Sequence, residues 1–202
     1  MRSRVRTHVD LKRTHDLLEQ LASVDPLTGI ANRRRFDTAL AEEWRRNGRA
    51  GRWLSLALVD VDHFKQFNDR HGHLAGDDCL RRIAEWLSRS SRRAGDLLAR
   101  YGGEEFGLIL PDVDASMMHG VVRTLLAGVA VPHIDGAPSV AAELVTVSIG
   151  AISVIPPDGT SVVQALAAAD DLLYEAKAEG RNRCIHLDGQ SYEKTTIFPV
   201  VS

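Results

Sequence analysis

This sequence of 202 residues has few cysteines, no large excess of charge and no long apolar segment. Cys79 and Cys184 are the only cysteines, which excludes a disulfide framework and favours a reducing compartment. The formal net charge of −2 provides no general attraction to nucleic acid or to an anionic membrane, so a polyanionic ligand must be bound locally. The longest apolar stretches, such as Leu54 to Val61, are too short to span a membrane, and no signal peptide opens the chain. These absences predict a cytoplasmic protein without a membrane or nucleic-acid partner.

The remaining composition supports one domain with an appendage at each end. A chain of this length with 44% hydrophobic residues can bury one core. Residues 1–24 are polar and favour a helix, which ends at Asp25 because the residue before a proline is pushed out of the α region. The leucines of this segment form only a short seam, so a solvated helix and a dimerising stalk both remain open. We predict a linker or signalling helix at 1–24, a domain at 25–188 and a tail at 189–202 that matches no pattern.

Apolar periodicity predicts helices and strands that alternate along the domain. The order is helix, strand, helix, hairpin, helix, strand, helix, strand. The corresponding residues are 33–46, 53–61, 74–90, 97–101 with 105–110, 115–131, 144–154, 162–179 and 184–187. The hairpin requires an antiparallel pair, which excludes a doubly wound parallel sheet. The predicted fold is α/β (α+β), with a central five-stranded, mixed, partly antiparallel sheet flanked by helices.

The turn of the predicted hairpin contains Gly102-Gly103-Glu104-Glu105. Two adjacent glycines tolerate the positive φ angles that tight hairpin turns require. Adjacent carboxylates repel, and neighbouring side chains of a strand point to opposite faces. Glu104 and Glu105 are therefore expected to have different surroundings.

A second pair of carboxylates ends the strand 53–61. Asp60 and Asp62 share one face of this strand because side-chain direction alternates along it. One interpretation is a polar strand end that turns into solvent. The other is a Mg²⁺ site, because these hard oxygen ligands would meet Glu104 if the hairpin paired with this strand, about 4.8 Å away.

The segment after this strand suits a nucleotide. His63 to Asn68 lie between a strand and a helix, where backbone N–H groups bind phosphates and Lys65 could add a positive charge. Asp77 is expected at or near the N-cap of the next helix, or its carboxylate could accept from the N1–H and N2–H₂ edge of guanine, which adenine lacks. His71 and His73 have no cysteine or third histidine at ligand spacing, which argues against zinc.

Two cations flank the end of the last predicted helix. Lys177 and Arg181 are four residues apart on one face, around Gly180 in the C′ position. Complementing the helix dipole explains both cations without a ligand, and contact with a triphosphate is the functional interpretation.

Together these motifs resemble the GGDEF domain, the catalytic domain of diguanylate cyclases. Gly102 to Phe106 match the signature in its GGEEF variant. Further matches, in order, are DPLTGIANRR (25–34), DVDHFKQFND (60–69), GH (72–73), GD (76–77), ADDLLY (169–174), AK (176–177) and GRN (180–182). The resemblance covers about Asp25 to Leu187 and rests on several spaced motifs in the right order. It implies a nucleotidyl-cyclase-like fold and an enzyme that makes cyclic di-GMP from two GTP with release of two pyrophosphates.

The resemblance also implies a role for each matching residue. Asp60 and Glu104, with the carbonyl of Val61, would hold two Mg²⁺ ions on GTP, with Mn²⁺ as the alternative metal. Asn68 and Asp77 would bind guanine. The other substrate-binding residues would be Phe64, Lys65, His73, Lys177 and Arg181, and the catalytic group would comprise Glu104, Lys65 and Glu105.

A homodimer follows from the same resemblance, because each domain would hold one GTP and the product is two-fold symmetric. Arg93-x-x-Asp96 stands where the family has its inhibitory RxxD site, so cyclic di-GMP is expected to act also as an allosteric inhibitor. A salt link at a helix end would explain the pair without a ligand. The N-terminal segment resembles the linker that follows a receiver domain in response regulators, so an upstream receiver or other sensory domain is expected.

Three alternative functions explain fewer of these residues than a diguanylate cyclase does. The main alternative is a non-catalytic GGDEF module that binds GTP or cyclic di-GMP as a sensor, although degenerate members usually lose the signature acids that this chain keeps. Asp77 argues against a cyclase with an adenine-containing product. A purely structural Mg²⁺ or Ca²⁺ domain would leave Asn68, Lys177 and Arg181 unexplained.

Overall fold

The computed structural model describes residues 23–91, 93–128, 145–157 and 161–199. This part of the chain contains seven strands and five helices. The strands are β1 (Ala31–Asn32), β2 (Leu54–Val61), β3 (Leu97–Arg100), β4 (Glu105–Pro111), β5 (Val147–Val154), β6 (Cys184–Asp188) and β7 (Glu193–Ile197). The helices are α1 (Arg33–Ala50), α2 (Phe64–His71), α3 (His73–Ser90), α4 (Ala115–Gly128) and α5 (Val162–Ala178).

The strands form one mixed sheet in the order β1-β3-β4-β2-β5-β6-β7. β1 is parallel to β3 and β5 is parallel to β6, while the other neighbouring strands are antiparallel. The predicted α/β class and the β3–β4 hairpin are confirmed, but the predicted count of five strands is wrong. One of the two missed strands, β1, has only two residues and is too short for a periodic signal.

The other missed strand, β7, lies in the tail that matched no sequence pattern. Four of its five residues are exposed and only Ile197 is buried, so the alternation that marks a half-buried strand is absent. Asp188 holds the turn before β7, because its carbonyl accepts from the Tyr192 N–H at 2.7 Å and its carboxylate from the Gln190 N–H at 2.9 Å. β7 then pairs with β6, with Ile197 opposite Cys184.

Helices cover both faces of the sheet, and the hydrophobic core has one layer on each face. Helices α2, α3 and α4 pack on one face, against side chains that include Phe106 and Leu108. Helices α1 and α5 pack on the other, where Phe36 contacts the layer that contains Leu56 and Ile109. Every residue of β2 is buried, which explains its unbroken apolar sequence and its place at the centre of the sheet.

Two helix starts show where local sequence signals were sufficient and where they were not. The predicted N-cap of α1 is confirmed, because Asn32 Oδ1 accepts from the Arg35 N–H at 3.0 Å. The predicted N-cap of α3 is wrong, since this helix begins at His73 after Gly72 and contains Asp77 within its second turn. Asp77 is therefore a half-buried helical residue and not a cap.

Helix α2 replaces the loop that the sequence predicted after β2. Phe64 and Phe67 are both buried and their rings stack with centroids 6.4 Å apart. A helix of eight residues offers too few turns for its periodicity to be recognised. The predicted helix at 1–24, the end of the predicted helix 115–131 and the start of the predicted strand at 144 lie largely outside the described residues.

A chain of hydrogen bonds between buried polar groups connects β2, β5, β6 and α4. The Ser55 hydroxyl donates to the Val113 carbonyl at 2.7 Å and lies 2.6 Å from Ser153 Oγ. Ser153 Oγ lies 2.9 Å from His186 Nε2, and His186 Nδ1 lies 3.1 Å from His119 Nε2. Because the proton of Ser55 is committed, Ser153 donates to Ser55 and His186 Nε2 donates to Ser153. Burial lowers the pKa of His186 and keeps it neutral near pH 7, so its Nδ1 accepts from His119.

Candidate active site

The end of the central strand and the tip of the hairpin lie side by side. β2 pairs with β4 in a register that places Asp60 opposite Glu105, and the Val61 N–H donates to the Glu104 carbonyl at 3.2 Å. The predicted pairing of the hairpin with this strand is confirmed. It brings the carboxylates of Asp60 and Glu104 close enough to interact electrostatically.

The charges around these two carboxylates set their protonation. Burial raises the pKa of Asp60, and the ammonium of Lys177, 2.9 Å from Asp60 Oδ2, opposes this rise together with Arg181. Burial also raises the pKa of Glu104, the negative charge of Asp60 adds to the rise, and Lys177 opposes it. A buried carboxylate beside a half-buried one attracts positive charge, and in the structure the ammonium of Lys177 provides this charge.

Arg100 holds the tip of the hairpin. Its Nε and Nη2 donate to the Gly103 carbonyl at 3.1 and 2.7 Å, and its Nη1 lies 3.3 Å from each carboxylate oxygen of Asp25. Asp25 also accepts from the backbone N–H and the hydroxyl of Thr28. Burial alone would raise the pKa of Asp25, but the bonds from Thr28 and the charge of Arg100 lower it below its usual value. Sequence reasoning missed this contact because 75 residues separate the two partners.

The glycines of the signature do not serve the tight turn that is one interpretation of the sequence. Neither Gly102 nor Gly103 has a positive φ, so the predicted turn requirement is wrong. A Cβ at Gly102 would lie 2.5 Å from Glu105 Oε2, so this glycine makes room for the Glu105 side chain. The Glu105 carbonyl accepts from the N–H groups of Tyr101 and Gly102, at 2.8 and 3.2 Å. Nothing lies within 4 Å of a Cβ placed at Gly103.

The first turn of α2 follows directly on the acidic end of β2. His63 precedes it in the left-handed region, with φ of 57°, and turns the chain from the strand into the helix. The N–H groups of Phe64 and Lys65 belong to this first turn, where no helical carbonyl accepts them. The side chain of Lys65 is exposed.

Helices α2 and α3 bring Asn68 and Asp77 together. Asn68 Oδ1 is buried and has no hydrogen-bond partner among the described residues. It lies against Gly76, where a Cβ would be only 1.9 Å away. Asp77 follows Gly76 directly, and His73 is exposed at the start of the same helix. The corner of the two helices thus presents an amide and a carboxylate.

The cations near Asp60 come from the end of α5 and the loop after it. Lys177 lies in the last turn of the helix, and Gly180 follows the helix with φ of 111°, as its predicted C′ position requires. Arg181 lies beyond the helix with φ of 62°, so the prediction that it shares a helical face with Lys177 is wrong. Both cations nevertheless act on Asp60.

Asp62 does not join Asp60 in facing the hairpin. Its Oδ1 accepts from the Ser148 hydroxyl at 2.7 Å, and its Oδ2 accepts from the Thr146 hydroxyl at 2.7 Å and the Asn182 N–H at 3.1 Å. Three donors therefore occupy the carboxylate that the sequence suggested as a second hard ligand.

Arg93 and Asp96 lie together in the turn before β3. The Arg93 N–H donates to Asp96 Oδ2 at 2.9 Å, and the Asp96 N–H donates to the Arg93 carbonyl at 3.0 Å. Burial raises the pKa of Asp96, although its bond to the Arg93 N–H opposes the rise. Asp96 Oδ1 is buried without a partner among the described residues, and the side chain of Arg93 is exposed.

Comparison with known proteins places this arrangement in a family. The sequence profile of the family described as "Diguanylate cyclase, GGDEF domain" matches residues 22–183. The chain belongs to the GGDEF domain family. The structure of the GGDEF domain of DgcB from Caulobacter crescentus, solved in complex with c-di-GMP, is 34% identical, with a TM-score of 0.75 over 82% of this chain and 95% of that chain.

Two curated relatives match this chain over part of longer sequences. Diguanylate cyclase DgcP of Pseudomonas aeruginosa is 39% identical over 180 residues, which are 86% of this chain and 26% of DgcP. Response regulator PleD of Caulobacter vibrioides is 37% identical over 198 residues, which are 91% of this chain and 41% of PleD. This chain therefore spans less than half the length of either relative. Within the described residues, no helix combines the length and apolarity needed to cross a membrane.

Proposed function

We propose that this GGDEF domain is a diguanylate cyclase that joins two GTP molecules into cyclic di-GMP and releases two pyrophosphates. The proposal rests on the placement of Asp60 and Glu104 side by side. The positive charges of Lys177 and Arg181 both act on Asp60. The first turn of α2 starts four residues after Asp60. Acidic metal ligands, free N–H groups and cations in one place are the groups that a nucleoside triphosphate needs.

The Asp60–Glu104 pair suits Mg²⁺ or Mn²⁺. Burial raises the pKa of both carboxylates, and the negative charge of Asp60 raises the pKa of Glu104 further, so a divalent cation between them would be stabilised. No group of three or more His, Cys, Asp or Glu side chains in the described residues is arranged to hold a metal. The Val61 carbonyl and GTP phosphates would therefore complete the coordination of two ions, as Mg²⁺ commonly requires. When bound, the ions would acidify the attacking hydroxyl and neutralise the triphosphate.

The phosphates of GTP would lie over the first turn of α2. The N–H groups of Phe64 and Lys65 and the positive end of the helix would bind phosphate oxygens. The side chain of Lys65 is exposed and able to follow the ligand, while Lys177 and Arg181 approach from the side of α5. These cations would stabilise the charge that develops on the leaving pyrophosphate.

The guanine base would bind at the corner of α2 and α3. Asn68 Oδ1, buried beside Gly76, supplies a hydrogen-bond acceptor that the protein leaves unused. The Asp77 carboxylate would accept from N1–H and N2–H₂ of guanine, whereas adenine has an acceptor at N1 and would leave the carboxylate unpaired. His73, exposed at the start of α3, would lie at the edge of this pocket.

The bond-forming step would join the 3′-oxygen of one GTP to the α-phosphorus of the other. Glu104 would assist deprotonation of the 3′-hydroxyl, since its raised pKa makes it a stronger base than an ordinary carboxylate. We assign Glu105 to the catalytic group as the second acid of the signature, and its packing against Gly102 supports a role in shaping the tip. Each domain would hold one GTP, so a two-fold homodimer would bring the two reacting ends together.

The turn at Arg93 and Asp96 would be a second, inhibitory site for cyclic di-GMP. The unpaired Asp96 Oδ1 would accept from a guanine edge, and the exposed guanidinium of Arg93 would bind guanine or phosphate. An upstream receiver or other sensory domain would control dimer formation through the segment 1–24. The GGDEF domain would occupy 25–188, with β7 of the tail added to the edge of its sheet.

The proposal is tested with the purified chain, freed of nucleotide and incubated with GTP and Mg²⁺ at several protein concentrations. We expect cyclic di-GMP, identified by mass spectrometry, at a rate per protein that rises with protein concentration because two domains must meet. Glu104→Gln should remove the product, while Glu85→Gln, an exposed change on α3, should not. Binding of GTP or cyclic di-GMP without product at any concentration would instead identify the chain as a non-catalytic sensor.

A further inference from the structure

Asp62 carries a buried carboxylate for which the proposed reaction has no role. Asp62 is only 6% exposed. Two of its three donors are Ser148, at the start of β5, and Thr146, the residue before this strand. The third donor is the Asn182 N–H, which reaches Oδ2 at 3.1 Å across 120 residues of sequence. A carboxylate so placed connects the end of the central strand to the loop after α5.

That loop has an unfavourable backbone. Gly180, Arg181 and Asn182 have consecutive positive φ values of 111°, 62° and 49°. The left-handed region is unfavourable for a residue with a side chain, strongly for Arg181 and less so for Asn182, so two such residues in succession need fixed partners. The Arg181 N–H donates to the Ala176 carbonyl at 3.0 Å, and the Arg183 carbonyl accepts from the Ile149 N–H at 2.9 Å.

Asn182 lies between these two backbone anchors, and Asp62 is the acceptor that holds it. Without this acceptor the Asn182 N–H would lose its partner, and the strained peptide next to Arg181 would be free to turn. The direction of the Arg181 side chain depends on that peptide. Arg181 would then no longer be held near Asp60, where its positive charge opposes the rise in the pKa of that carboxyl.

We infer that Asp62 is a positioning residue for Arg181, which fixes the left-handed loop so that the guanidinium faces the triphosphate of the substrate. This inference rests on the proposed function. Asp62 acts on this loop through the oxygen that accepts from the Asn182 N–H. Asparagine in its place would still present one oxygen to Thr146 and Asn182 and would donate its amide to the Ser148 oxygen.

The test compares the binding of two nucleotides by calorimetry in Mg²⁺. The first is 3′-deoxy-GTP, which lacks the attacking hydroxyl, and the second is GMP, which lacks the terminal phosphates. Asp62→Ala should weaken 3′-deoxy-GTP roughly tenfold, as loss of a charged hydrogen-bond network does, and leave GMP unchanged within about twofold. Asp62→Asn should stay within about threefold of the wild type for both ligands. Ser148→Ala, which leaves the Asn182 contact intact, is the matched control and should change neither affinity.

A double-mutant cycle shows whether Asp62 acts through Arg181. In the Arg181→Ala background, Asp62→Ala should weaken 3′-deoxy-GTP no further, because the group that it positions is gone. Equal losses for 3′-deoxy-GTP and GMP, full additivity with Arg181→Ala, or an Asn variant as weak as the Ala variant would each overturn the inference.

Amide hydrogen exchange of residues 180–183 supplies a readout that needs no nucleotide. The Asn182 amide should exchange slowly in the wild type and in Asp62→Asn and faster in Asp62→Ala; equal rates in all three would overturn the inference. If Asp62→Ala failed to fold, slow exchange and retained affinity in Asp62→Asn would support it, and loss of either would overturn it. Failure of the wild type to bind 3′-deoxy-GTP would overturn the proposed function, and the exchange rates would still decide whether Asp62 anchors the loop.

Discussion

Gly76 leaves the space that the side chain of Asn68 fills. A Cβ at this position would lie 1.9 Å from Asn68 Oδ1 and 2.9 Å from its Cγ, so Gly76→Ala must displace the amide. Alanine stabilises a helix relative to glycine by about 1 kcal/mol, so the fold should persist while GTP affinity falls roughly tenfold or more. Calorimetry with 3′-deoxy-GTP measures the loss. Gly120→Ala on the exposed side of α4, with nothing within 4 Å, is the control, and unchanged affinity in Gly76→Ala would show that Asn68 does not bind the base.

Arg93 is the exposed member of the proposed inhibitory pair. Arg93→Ala removes the guanidinium but keeps the backbone N–H that Asp96 accepts, so the turn should survive. The concentration of cyclic di-GMP that halves the initial rate should rise tenfold or more, roughly the loss expected for one charged hydrogen bond. Initial-rate assays with added product measure this, with Arg81→Ala, another exposed arginine, for comparison. Inhibition as strong as in the wild type would place the regulatory site elsewhere.

At the scale of single residues, the sequence indicated which side chains would lie near one another but not how each is held. Asp60 and Glu104 were predicted to meet because one motif ends a strand and the other turns a hairpin, and their pairing follows from sheet spacing. The interpretation of Gly102 as a tight-turn residue was wrong, because φ and the position of the Glu105 carboxylate depend on the folded turn. Asp62 was considered as a hard ligand beside Asp60, and its three donors could not be foreseen, since alternation along a strand predicts a face but not a partner.

Among the elements, the hairpin tip depends on one forked side chain. Arg100 contacts the Gly103 carbonyl and the Asp25 carboxylate at once, which a lysine ammonium cannot do from one position. Arg100→Lys should lower the free energy of unfolding by about 1–2 kcal/mol and lower turnover further by loosening the residue before Glu104. Urea unfolding and initial rates measure the two effects. Arg33→Lys, on the exposed arginine over Tyr101, is the control, and equal results for both variants would contradict the role of the fork.

The buried histidine chain makes the packing of α4 on the sheet sensitive to acid. Burial, with His119, lowers the pKa of His186 to about 4, whereas an unfolded histidine titrates near 6.5. Between these values the unfolded chain binds more protons, so this contribution to stability is complete above pH 6.5 and is lost as pH falls toward 4. Protonation at Nδ1 would also break the bond from His119.

Urea unfolding at pH 7 and pH 5 tests this acid sensitivity. The wild type should lose about 2 kcal/mol more than His186→Gln over this interval, because glutamine does not titrate. His119 and Asp188 also face His186, so His119→Gln is measured alongside to separate their shares. His71→Gln, an exposed change, should behave as the wild type does. Equal losses in the wild type and His186→Gln would mean that His186 titrates normally in the folded protein.

The elements that the sequence missed share a physical cause. α2 and β7 are short, and each is specified by contacts made elsewhere: α2 by two phenylalanines on the core, β7 by hydrogen bonds to β6. The longer elements carry enough turns or alternations to be recognised alone, and the sheet class followed from their order. Short elements form because of tertiary contacts, which leave no pattern in the local sequence.

For the whole molecule, β7 has a consequence for where the domain can be cut. The boundary at 188 that the sequence predicted would remove β7 and leave β6 as the edge of the sheet, with Cys184 and Ile185 buried at present. Unpaired apolar edges associate with other chains, whereas β7 presents Lys194 and two threonines. A chain ending at Asp188 should form large aggregates in light scattering at concentrations where one ending at Pro199 does not. Equal scattering would show that β6 tolerates exposure. Otherwise the last strand, although it carries no residue of the proposed site, protects the domain from aggregation.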